Sequence, residues 1–310
     1  MFEERNNLPR RPVAGSGVAT VGPYLWVTPA LAYLLFFWGY PALSAVGLSL
    51  TDASLGSEAA RFTGLDNYAR LLRDSHFWLA LKNTGVLLAG SVVLEVALGF
   101  WVALYLNRSS RFGKGLLTAA LLLPWLFSEL VTALTWRWIF HEPFGLLNAL
   151  LARLGFEGVP WLSRSGTAMA ALLAASLWQG LGMSTLVILA ALKGIPSRLA
   201  DLAVLEGAVG WKGIRYVTLP QIKGVLLLDA LLVAIKSLGA FTLVYALTGG
   251  GPGYGTEVLA TYMYRLIFTF YEPGYGSAVG LSLACLFLLL VFLVHLVQRE
   301  SRDLEAGGAP

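Results

Sequence analysis

Long apolar stretches alternate with short polar segments along the whole chain. They predict six membrane-spanning helices, over Tyr24–Leu50, Trp78–Leu106, Leu116–Phe140, Ser165–Leu192, Val225–Leu247 and Pro273–Gln298. Each stretch is long enough to cross the apolar core of a bilayer, which takes about 20 helical residues. An even number of spans places both ends of the chain on the same side. The pattern therefore predicts an all-α polytopic membrane protein.

The composition supports this interpretation and argues against other classes. Of the 310 residues, 57% are apolar and only 13% are charged, and the mean hydropathy is +0.69. A soluble domain carries about 25% charged residues, so an ordinary cytosolic enzyme, a disordered chain and a nucleic-acid binder are all disfavoured. The single cysteine, Cys285, excludes an internal disulfide, and His76, His141 and His295 lie too far apart in sequence for a zinc site. No metal site is predicted.

The distribution of lysine and arginine predicts the orientation in the membrane. Thirteen of these residues lie in segments on the same side as the two ends, and seven lie in segments on the opposite side. Because cytoplasmic segments carry the excess of positive charge, we expect both ends to be cytoplasmic. Residues 1–23 are then a cytoplasmic N-terminal segment, residues 24–298 the six-span domain, and residues 299–310 a cytoplasmic tail.

The segment 193–223, between the fourth and fifth spans, mixes apolar and charged residues. Its apolar residues recur at helical spacing, with Ser197 as the expected N-cap. Gly207 and Gly210 interrupt the pattern, and Leu219-Pro220 is expected to restart a helix that enters the fifth span. The spacing predicts two short amphipathic helices joined by a bend on the cytoplasmic face. On spacing alone, a helix pair lying in the lipid interface is an equal alternative.

This segment resembles the signature loop of the permease subunits of ABC importers. That loop has the form E-A-A, three residues, G, nine residues, I, one residue, L-P. Here the matching positions are held by Asp201-Leu202-Ala203, Gly207, Val217 and Leu219-Pro220. The run Glu206-Gly207-Ala208 is similar to the D-G-A of the sugar-importer version. The chain departs from the pattern at Asp201, where glutamate is usual, and at Leu202, where alanine is usual.

Other segments extend the resemblance to the carbohydrate-uptake branch, similar to the larger maltose-type permease subunit and its glycerol-phosphate-type relative. They are Phe62–Tyr68, Leu123–Trp125, Trp136–Trp138, Phe144–Asn148, Leu247–Thr256 and Gly274–Ala278. The resemblance implies the type I ABC importer permease fold, with a cytoplasmic coupling-helix loop. Residues 197–211 are then expected to contact an ATPase, foremost through Asp201, Leu202, Ala203, Glu206, Gly207 and Ala208.

The resemblance also implies the partners. They are a second homologous permease subunit, two ATPase subunits, an extracytoplasmic solute-binding protein, a sugar substrate and the lipid of the cell inner membrane. ATP and Mg²⁺ are expected on the ATPase subunits, and this chain is expected to hold no cofactor and no catalytic residue. The glycine-rich run 249–255 has no lysine and is interrupted by Pro252, so it is predicted to be an outer turn rather than a phosphate loop.

Polar and aromatic side chains of the fourth and fifth spans are candidates for the substrate path. Sugar sites combine aromatic faces with hydroxyl, amide or charged groups. Spacing, together with the distance from the signature loop in maltose-type relatives, gives Ser176, Gln179, Gly180, Met183, Lys236, Ser237, Ala240, Phe241 and Tyr245. Those relatives carry asparagines and aromatics at several of these positions, and this chain does not.

Inside the predicted spans lie the ionisable residues Glu95, Glu129, Asp229 and Lys236. Such residues are costly in a bilayer and face a cavity or a partner. Asp229 and Lys236 share one face of the fifth span but lie two turns apart, too far for a direct pair. Lys236 is therefore expected to meet a group on another helix, with Glu129 as one candidate. A buried pair that only fixes packing and a residue that borders the translocation path are both open.

These observations give one leading function and two alternatives. The leading hypothesis is the permease subunit of an ATP-driven sugar importer that works by alternating access. The first alternative is a glycerol-phosphate or other polyol importer of the same family. The second, motivated by the intramembrane charges, is a secondary transporter driven by an ion gradient.

Overall fold

The computed structural model describes residues 22–54, 56, 60–108 and 114–307, and these residues are predominantly helical. Within them, the only extended pairing is an isolated antiparallel bridge between Thr51 and Phe62. The all-α fold class is confirmed. The predicted N-terminal segment 1–23 lies outside the described residues except at its last two positions.

The chain divides into two compact units, residues 1–47 and residues 48–310. In the first unit, helix α1 (Gly22–Leu34) continues through a π-helical turn (Leu35–Gly39) into α2 (Tyr40–Ser49). The segment Trp26–Ser49 is long and apolar enough to span a membrane, in agreement with the first predicted span.

The second unit is a bundle of helices around three long spans. Its helices are α3 (Asp66–Arg73), α4 (Ser75–Arg108), α5 (Lys114–Leu122), α6 (Glu129–Ile139), α7 (Leu146–Arg153), α8 (Ser165–Lys193), α9 (Ser197–Leu205), α10 (Trp211–Gly213), α11 (Leu219–Leu238), α12 (Phe241–Leu247), α13 (Leu259–Phe268) and α14 (Pro273–Gly307). Helices α4, α8 and α11 pack against one another, and α14 packs on α11 and α13. The fully buried side chains of Leu87, Leu172 and Ile188 fill the space between the long helices.

The second, fourth and sixth predicted spans coincide with continuous helices. They correspond to α4, α8 and α14, and each contains a window apolar enough to cross a bilayer. Helix α14 continues to Gly307, so residues 299–307 of the predicted tail 299–310 belong to this helix. Each of these apolar stretches is continuous and has no proline in its interior, which accounts for the agreement.

The third predicted span, Leu116–Phe140, is wrong as a single helix. It consists of two pieces, Lys114–Leu126 and Glu129–Ile139, which meet at an angle of 102°. Pro124 lies in a 3₁₀ turn (Leu123–Leu126) and has no N–H to continue the α-helical ladder. Ser128 then takes an extended conformation and caps α6, its Oγ accepting a hydrogen bond from the Val131 amide at 3.3 Å.

The fifth predicted span, Val225–Leu247, is wrong at both ends. The helical segment begins at Trp211 and runs through a π turn (Ile214–Thr218) to Leu238, so Leu219-Pro220 continues a helix instead of restarting one. The wider π turn accommodates Pro220, which cannot donate a hydrogen bond to the preceding turn. At the other end, a break at Gly239 and Ala240 separates α11 from the short helix α12.

One carboxylate ties three elements together at the end of the bundle opposite the loop between α8 and α11. Asp74, between α3 and α4, accepts hydrogen bonds from the hydroxyls of Tyr262 on α13 and Tyr275 on α14, the latter at 2.6 Å. The Arg70 guanidinium lies over the Tyr275 ring, 4.1 Å from its centroid, and pairs with Glu272 at 2.8 Å. These contacts fix the start of α4 against α13 and α14.

The hydrogen bonds to Asp74 lower its pKa by more than its partial burial raises it. Burial alone raises the pKa of Asp74, but the tyrosine hydroxyls and the backbone amides of His76 and Phe77 stabilise the carboxylate, so the pKa lies below its usual value.

Helix α8 approaches the backbone of α5 closely at Gly182. A Cβ atom built on Gly182 would lie 1.9 Å from the carbonyl oxygen of Leu121, far inside van der Waals contact. Small residues at such positions let transmembrane helices pack at short range.

We expect Gly182→Ala to lower the stability of the protein by roughly 1–3 kcal/mol, the usual range for overpacking. The melting temperature in mild detergent measures this effect. The matched control is Gly166→Ala on the same helix, where an added Cβ meets no atom within 4 Å. Equal melting temperatures for the two variants would contradict the close approach of α8 and α5.

We expect Asp74→Asn to lower stability at neutral pH by about 1–3 kcal/mol, because the acceptor of two tyrosine hydroxyls loses its charge. The sign of the pH dependence follows from the lowered pKa. The stabilisation is present above the unfolded-state pKa and is lost as the pH falls through the folded-state pKa. Thermal melting between pH 7 and pH 3 should therefore show a smaller acid-induced loss for Asp74→Asn than for the native chain. The exposed Asp66, changed to Asn, is the control, and an unchanged pH profile in Asp74→Asn would refute the assignment.

Candidate functional site

A buried ion pair joins α4 to α11. The Nζ atom of Lys236 lies 2.6 Å from Oε1 of Glu95. The Glu95 side chain is 1% exposed and that of Lys236 is 31% exposed. The carboxylate is thus enclosed by the bundle, whereas the Lys236 side chain is partly exposed at the surface of this subunit.

The prediction of Glu129 as the partner of Lys236 is wrong. Glu129 opens α6, beyond the bend of the third span, and is within electrostatic reach of Lys236 without forming an ion pair among the described residues. Asp229 does not pair directly with Lys236 either, as its spacing predicted. It is 2% exposed and lies within electrostatic reach of Ser184 on α8.

Helix α8 completes the environment of the ion pair. The Ser176 hydroxyl donates a hydrogen bond to Oε1 of Glu95 at 3.1 Å, and the Ser176 carbonyl accepts one from Nζ of Lys236 at 3.5 Å. Ser91 of α4 in turn donates to the Ser176 hydroxyl at 3.4 Å. A buried charge pair is stable only when such further hydrogen bonds accompany it. Here the hydrogen bonds and the ion pair together connect α4, α8 and α11.

Gly180 leaves the space that the ion pair occupies. A Cβ atom built on Gly180 would lie 1.9 Å from Oε2 of Glu95 and 2.4 Å from Nζ of Lys236. Any larger residue would have to displace a charged group. Glu95, Ser176, Gly180 and Lys236 therefore form one unit, called the charge cluster below.

The other polar candidates of the fourth and fifth spans have local partners. Gln179 donates from Nε2 to the Phe127 carbonyl at 3.0 Å, which satisfies the backbone where the third span breaks. Ser237 donates to the Val233 carbonyl of its own helix at 2.9 Å and is buried. Ala240 belongs to the apolar core, whereas Met183 is exposed.

Four aromatic rings of α12 and α13 pack together, with Phe241, Tyr245 and Tyr264 in mutual contact and Phe268 against Tyr264; this group is called the aromatic row below. The centroid distances are 5.3 Å for Phe241–Tyr245, 5.3 Å for Tyr245–Tyr264 and 4.8 Å for Tyr264–Phe268. Tyr245 is half exposed and Phe268 is 60% exposed. Sequence reasoning selected Phe241 and Tyr245 but missed the role of Tyr264 and Phe268 in this row. Their spacing of four residues on one helix is the signal that could have found them.

The loop that resembles the importer signature forms a short exposed helix followed by two left-handed glycines. Helix α9 begins at Ser197 with Pro196 as its N-cap, so the prediction of Ser197 as the cap is wrong by one residue. Gly207 has φ +72° and ends the helix, its amide bonding to the Val204 carbonyl at 3.1 Å. Gly210, with φ +65°, then turns the chain into α10.

The candidate contact residues of this loop are accessible. Asp201, Leu202, Glu206 and Gly207 are exposed, and Ala203 and Ala208 are partly buried beneath them. The apolar side chains of Leu202, Val204, Leu205 and Val209 are 55%, 62%, 82% and 63% exposed. So many exposed apolar side chains on a polar loop are typical of a protein contact surface.

The glycine-rich run forms a turn, as predicted. Gly249, Gly250 and Gly253 adopt positive φ angles, and the Arg265 guanidinium donates to the Gly249 carbonyl at 3.2 Å. Arg265 also pairs with Glu257 at 3.0 Å. Burial raises the pKa of Glu257, and the nearby Arg265 charge opposes that rise.

The sequence profile of the family described as "Binding-protein-dependent transport system inner membrane component" matches residues 95–302. The chain belongs to this family. The matched region runs from Glu95 of the charge cluster through the signature loop and most of α14. Members of this family are transport subunits rather than enzymes, and the chain is a multi-pass inner-membrane permease of an ATP-driven importer. Among the described residues, no three His, Cys, Asp or Glu side chains come together in a way that could hold a metal ion.

Similar proteins confirm the resemblance to carbohydrate-uptake ABC permeases. The trehalose/maltose transport system permease protein MalF of Thermococcus litoralis is 35% identical over 283 residues, which are 90% of this chain and 94% of that protein. The sulfoquinovosyl glycerol transport system permease protein SmoG of Agrobacterium fabrum is 32% identical over 280 residues, or 90% of each chain. Diacetylchitobiose uptake system permease protein DasB of Streptomyces coelicolor is 29% identical over 297 residues, 94% of this chain and 90% of that protein.

A solved structure confirms the type I importer permease fold. The crystal structure of a bacterial alginate ABC transporter, in complex with an alginate pentasaccharide-bound periplasmic protein, contains a chain that superposes with a TM-score of 0.79. The two chains share 23% sequence identity, and the match covers 90% of this chain and 94% of the other.

We expect Gly180→Ala to destabilise the native chain by roughly 1–3 kcal/mol, because the added methyl group displaces Glu95 or Lys236. The destabilisation should be much smaller in a Glu95→Ala background, because Oε2 of Glu95, the atom nearest to the added methyl group, is then absent. Melting temperatures of the two single variants and the double variant measure this non-additivity. The exposed Gly85, changed to Ala on α4, should combine additively with Glu95→Ala. Full additivity for Gly180 would contradict the packing of the charge cluster.

Proposed function

We propose that this permease carries a sugar, with one side of the translocation path formed by the charge cluster and the aromatic row. A second homologous permease subunit supplies the other side of the path. The carrying observation is that the aromatic row includes Phe241, five residues along the chain from Lys236, whose side chain is partly exposed at the subunit surface. Aromatic faces cover the apolar face of a sugar ring, and a held N–H donor binds a hydroxyl oxygen.

The charges of the site favour a sugar over glycerol phosphate. A phosphate dianion requires an excess of cations, such as an arginine cluster or an unpaired lysine. Lys236 is instead paired with Glu95, and Glu129 and Asp229 add further carboxyl groups within its electrostatic reach. The names of the relatives, which include trehalose/maltose and diacetylchitobiose systems, also support a sugar. The family assignment argues against the alternative hypothesis of a secondary transporter driven by an ion gradient, because members of the family work with an ATPase.

The exposed surface of α9 and the turn after it is the proposed contact with an ATPase subunit. Leu202, Leu205 and Val209 supply the apolar contacts, while Asp201 and Gly207 set its charge and its bend. One ATPase subunit contacts this chain and a second contacts the homologous permease. ATP and Mg²⁺ bind these ATPase subunits, and this chain contributes no cofactor and no covalent chemistry. This assignment requires the loop to be cytoplasmic, as the distribution of lysine and arginine predicts.

The proposed mechanism is alternating access by rigid-body motion. The loop between α8 and α11 connects directly to both helices, and the charge cluster fixes both to α4. A displacement of the loop by the closing ATPase dimer therefore moves the three helices together. An extracytoplasmic solute-binding protein delivers the sugar to the opposite face.

We expect Gly207→Trp to abolish ATP-driven sugar uptake while leaving the protein in the membrane. Gly207 has φ +72° and no atom within 4 Å of a built Cβ, so the substitution strains the turn and covers the proposed ATPase contact without overpacking the subunit. Uptake by the complete transporter is measured with a panel of disaccharides, monosaccharides and glycerol phosphate, together with recovery of the ATPase in a pull-down.

The matched control is Gly155→Trp. Gly155 has φ +81° and no atom within 4 Å of a built Cβ, but it follows α7, far along the chain from the loop. It should retain the ATPase. Normal uptake and normal ATPase recovery in Gly207→Trp would refute the proposed coupling surface. Uptake of glycerol phosphate without any sugar would refute the substrate class.

A further inference from the structure

We infer that Glu95 determines substrate charge specificity, because it neutralises Lys236 and so makes the path select neutral sugars over anionic ones. The inference rests on the proposed function and deepens it by naming the charge class of the substrate. Glu95 is a positioning residue, since its enclosed carboxylate cannot touch a sugar and acts only through Lys236.

The geometry assigns different roles to the two ends of the ion pair. Here the Glu95 side chain is 1% exposed, whereas the Lys236 side chain is 31% exposed. The absence of a side chain at Gly180 leaves room for the carboxylate, because a Cβ there would collide with Oε2 of Glu95. The arrangement places the enclosed carboxylate of Glu95 2.6 Å from the Nζ atom of a partly exposed lysine side chain.

The hydrogen bonds of Lys236 leave one donor for a substrate. An ammonium group has three donors, and two of them are directed to Oε1 of Glu95 at 2.6 Å and to the Ser176 carbonyl at 3.5 Å. The third has no acceptor among the residues that the structure describes, and the inference assigns it a hydroxyl oxygen of the substrate. Lys236 therefore offers a substrate a fixed N–H donor with little net positive charge.

The surroundings of Lys236 reinforce this selection. Glu95, Glu129 and Asp229 all interact electrostatically with Lys236, and among the described residues it is the one basic group that acts on these three acids. Arg137, on the same helix as Glu129, donates instead to the Ala246 carbonyl at 3.5 Å. A carboxylate, sulfonate or phosphate on the substrate would thus meet a surplus of acidic groups.

The test measures equilibrium binding to the purified complex of both permease subunits and the ATPases. The solute-binding protein is left out, so that its own selectivity does not enter. The probes are a radiolabelled neutral glucosyl disaccharide and the matching disaccharide with one glucuronic acid ring. We expect the native complex to prefer the neutral probe, and Glu95→Gln to lower the neutral-to-anionic ratio about tenfold, as expected for a charge at contact distance that water largely screens. An unchanged ratio would overturn the inference.

Two further variants separate specificity from folding. Glu257→Gln is the matched control. Like Glu95, Glu257 is enclosed (2% exposed) and ion-paired, with Arg265 at 3.0 Å, but it lies outside the proposed path. The neutral-to-anionic ratio of this variant should equal that of the native complex. If Glu95→Gln fails to fold, Lys236→Gln serves instead and must raise the ratio, because the acidic surplus then remains without its cation. A lowered or unchanged ratio in that variant would also overturn the inference. A native complex that binds and imports no sugar at all would instead refute the proposed function.

Discussion

The structure depends on one electrostatic constraint, which is that the Glu95 carboxylate is enclosed within a membrane-spanning bundle. A charge in this position is tolerated only when it is paired and hydrogen-bonded. Lys236 and Ser176 meet that requirement, and Gly180 provides the space. As a result, α4, α8 and α11 are held at a single point. The helices on both sides of the signature loop are thus attached to the same charge pair, which links the proposed ATPase contact physically to the proposed substrate path.

Apolar content predicted the long spans because it varies little along α4, α8 and α14. It could not predict the breaks in the third and fifth spans, since the apolar character continues across them. Pro124 and Ser128 were visible as local signals, but only the tertiary structure shows that the chain bends by 102° there. The partner of Lys236 was misassigned for the same reason. Sequence spacing identifies which residues share a face of one helix, and the rotation of neighbouring helices decides whether Glu95 or Glu129 reaches the ammonium.

The candidate path residues divide into groups that the sequence could not distinguish. Ser176, Gly180 and Lys236 meet in the charge cluster, whereas Gln179 satisfies a backbone carbonyl at the helix break and Ser237 bonds within its own helix. The resemblance to maltose-type permeases directed the prediction to this part of the two helices, whereas the ion pair follows from the side chains of Glu95 and Lys236. The spacing of Tyr264 and Phe268 places them on one face of α13, but only the tertiary structure shows that this face meets the rings of α12.

The coupling free energy between Glu95 and Lys236 is the most direct test of this account. It is obtained from a double-mutant cycle on unfolding, with Glu95→Gln, Lys236→Gln and the double variant compared with the native chain in detergent. The account predicts that each single variant is strongly destabilised and that the double variant recovers much of the loss, with a coupling of roughly 1–3 kcal/mol. Strictly additive effects, with a coupling near zero, would show that the two side chains do not form the ion pair on which the bundle depends.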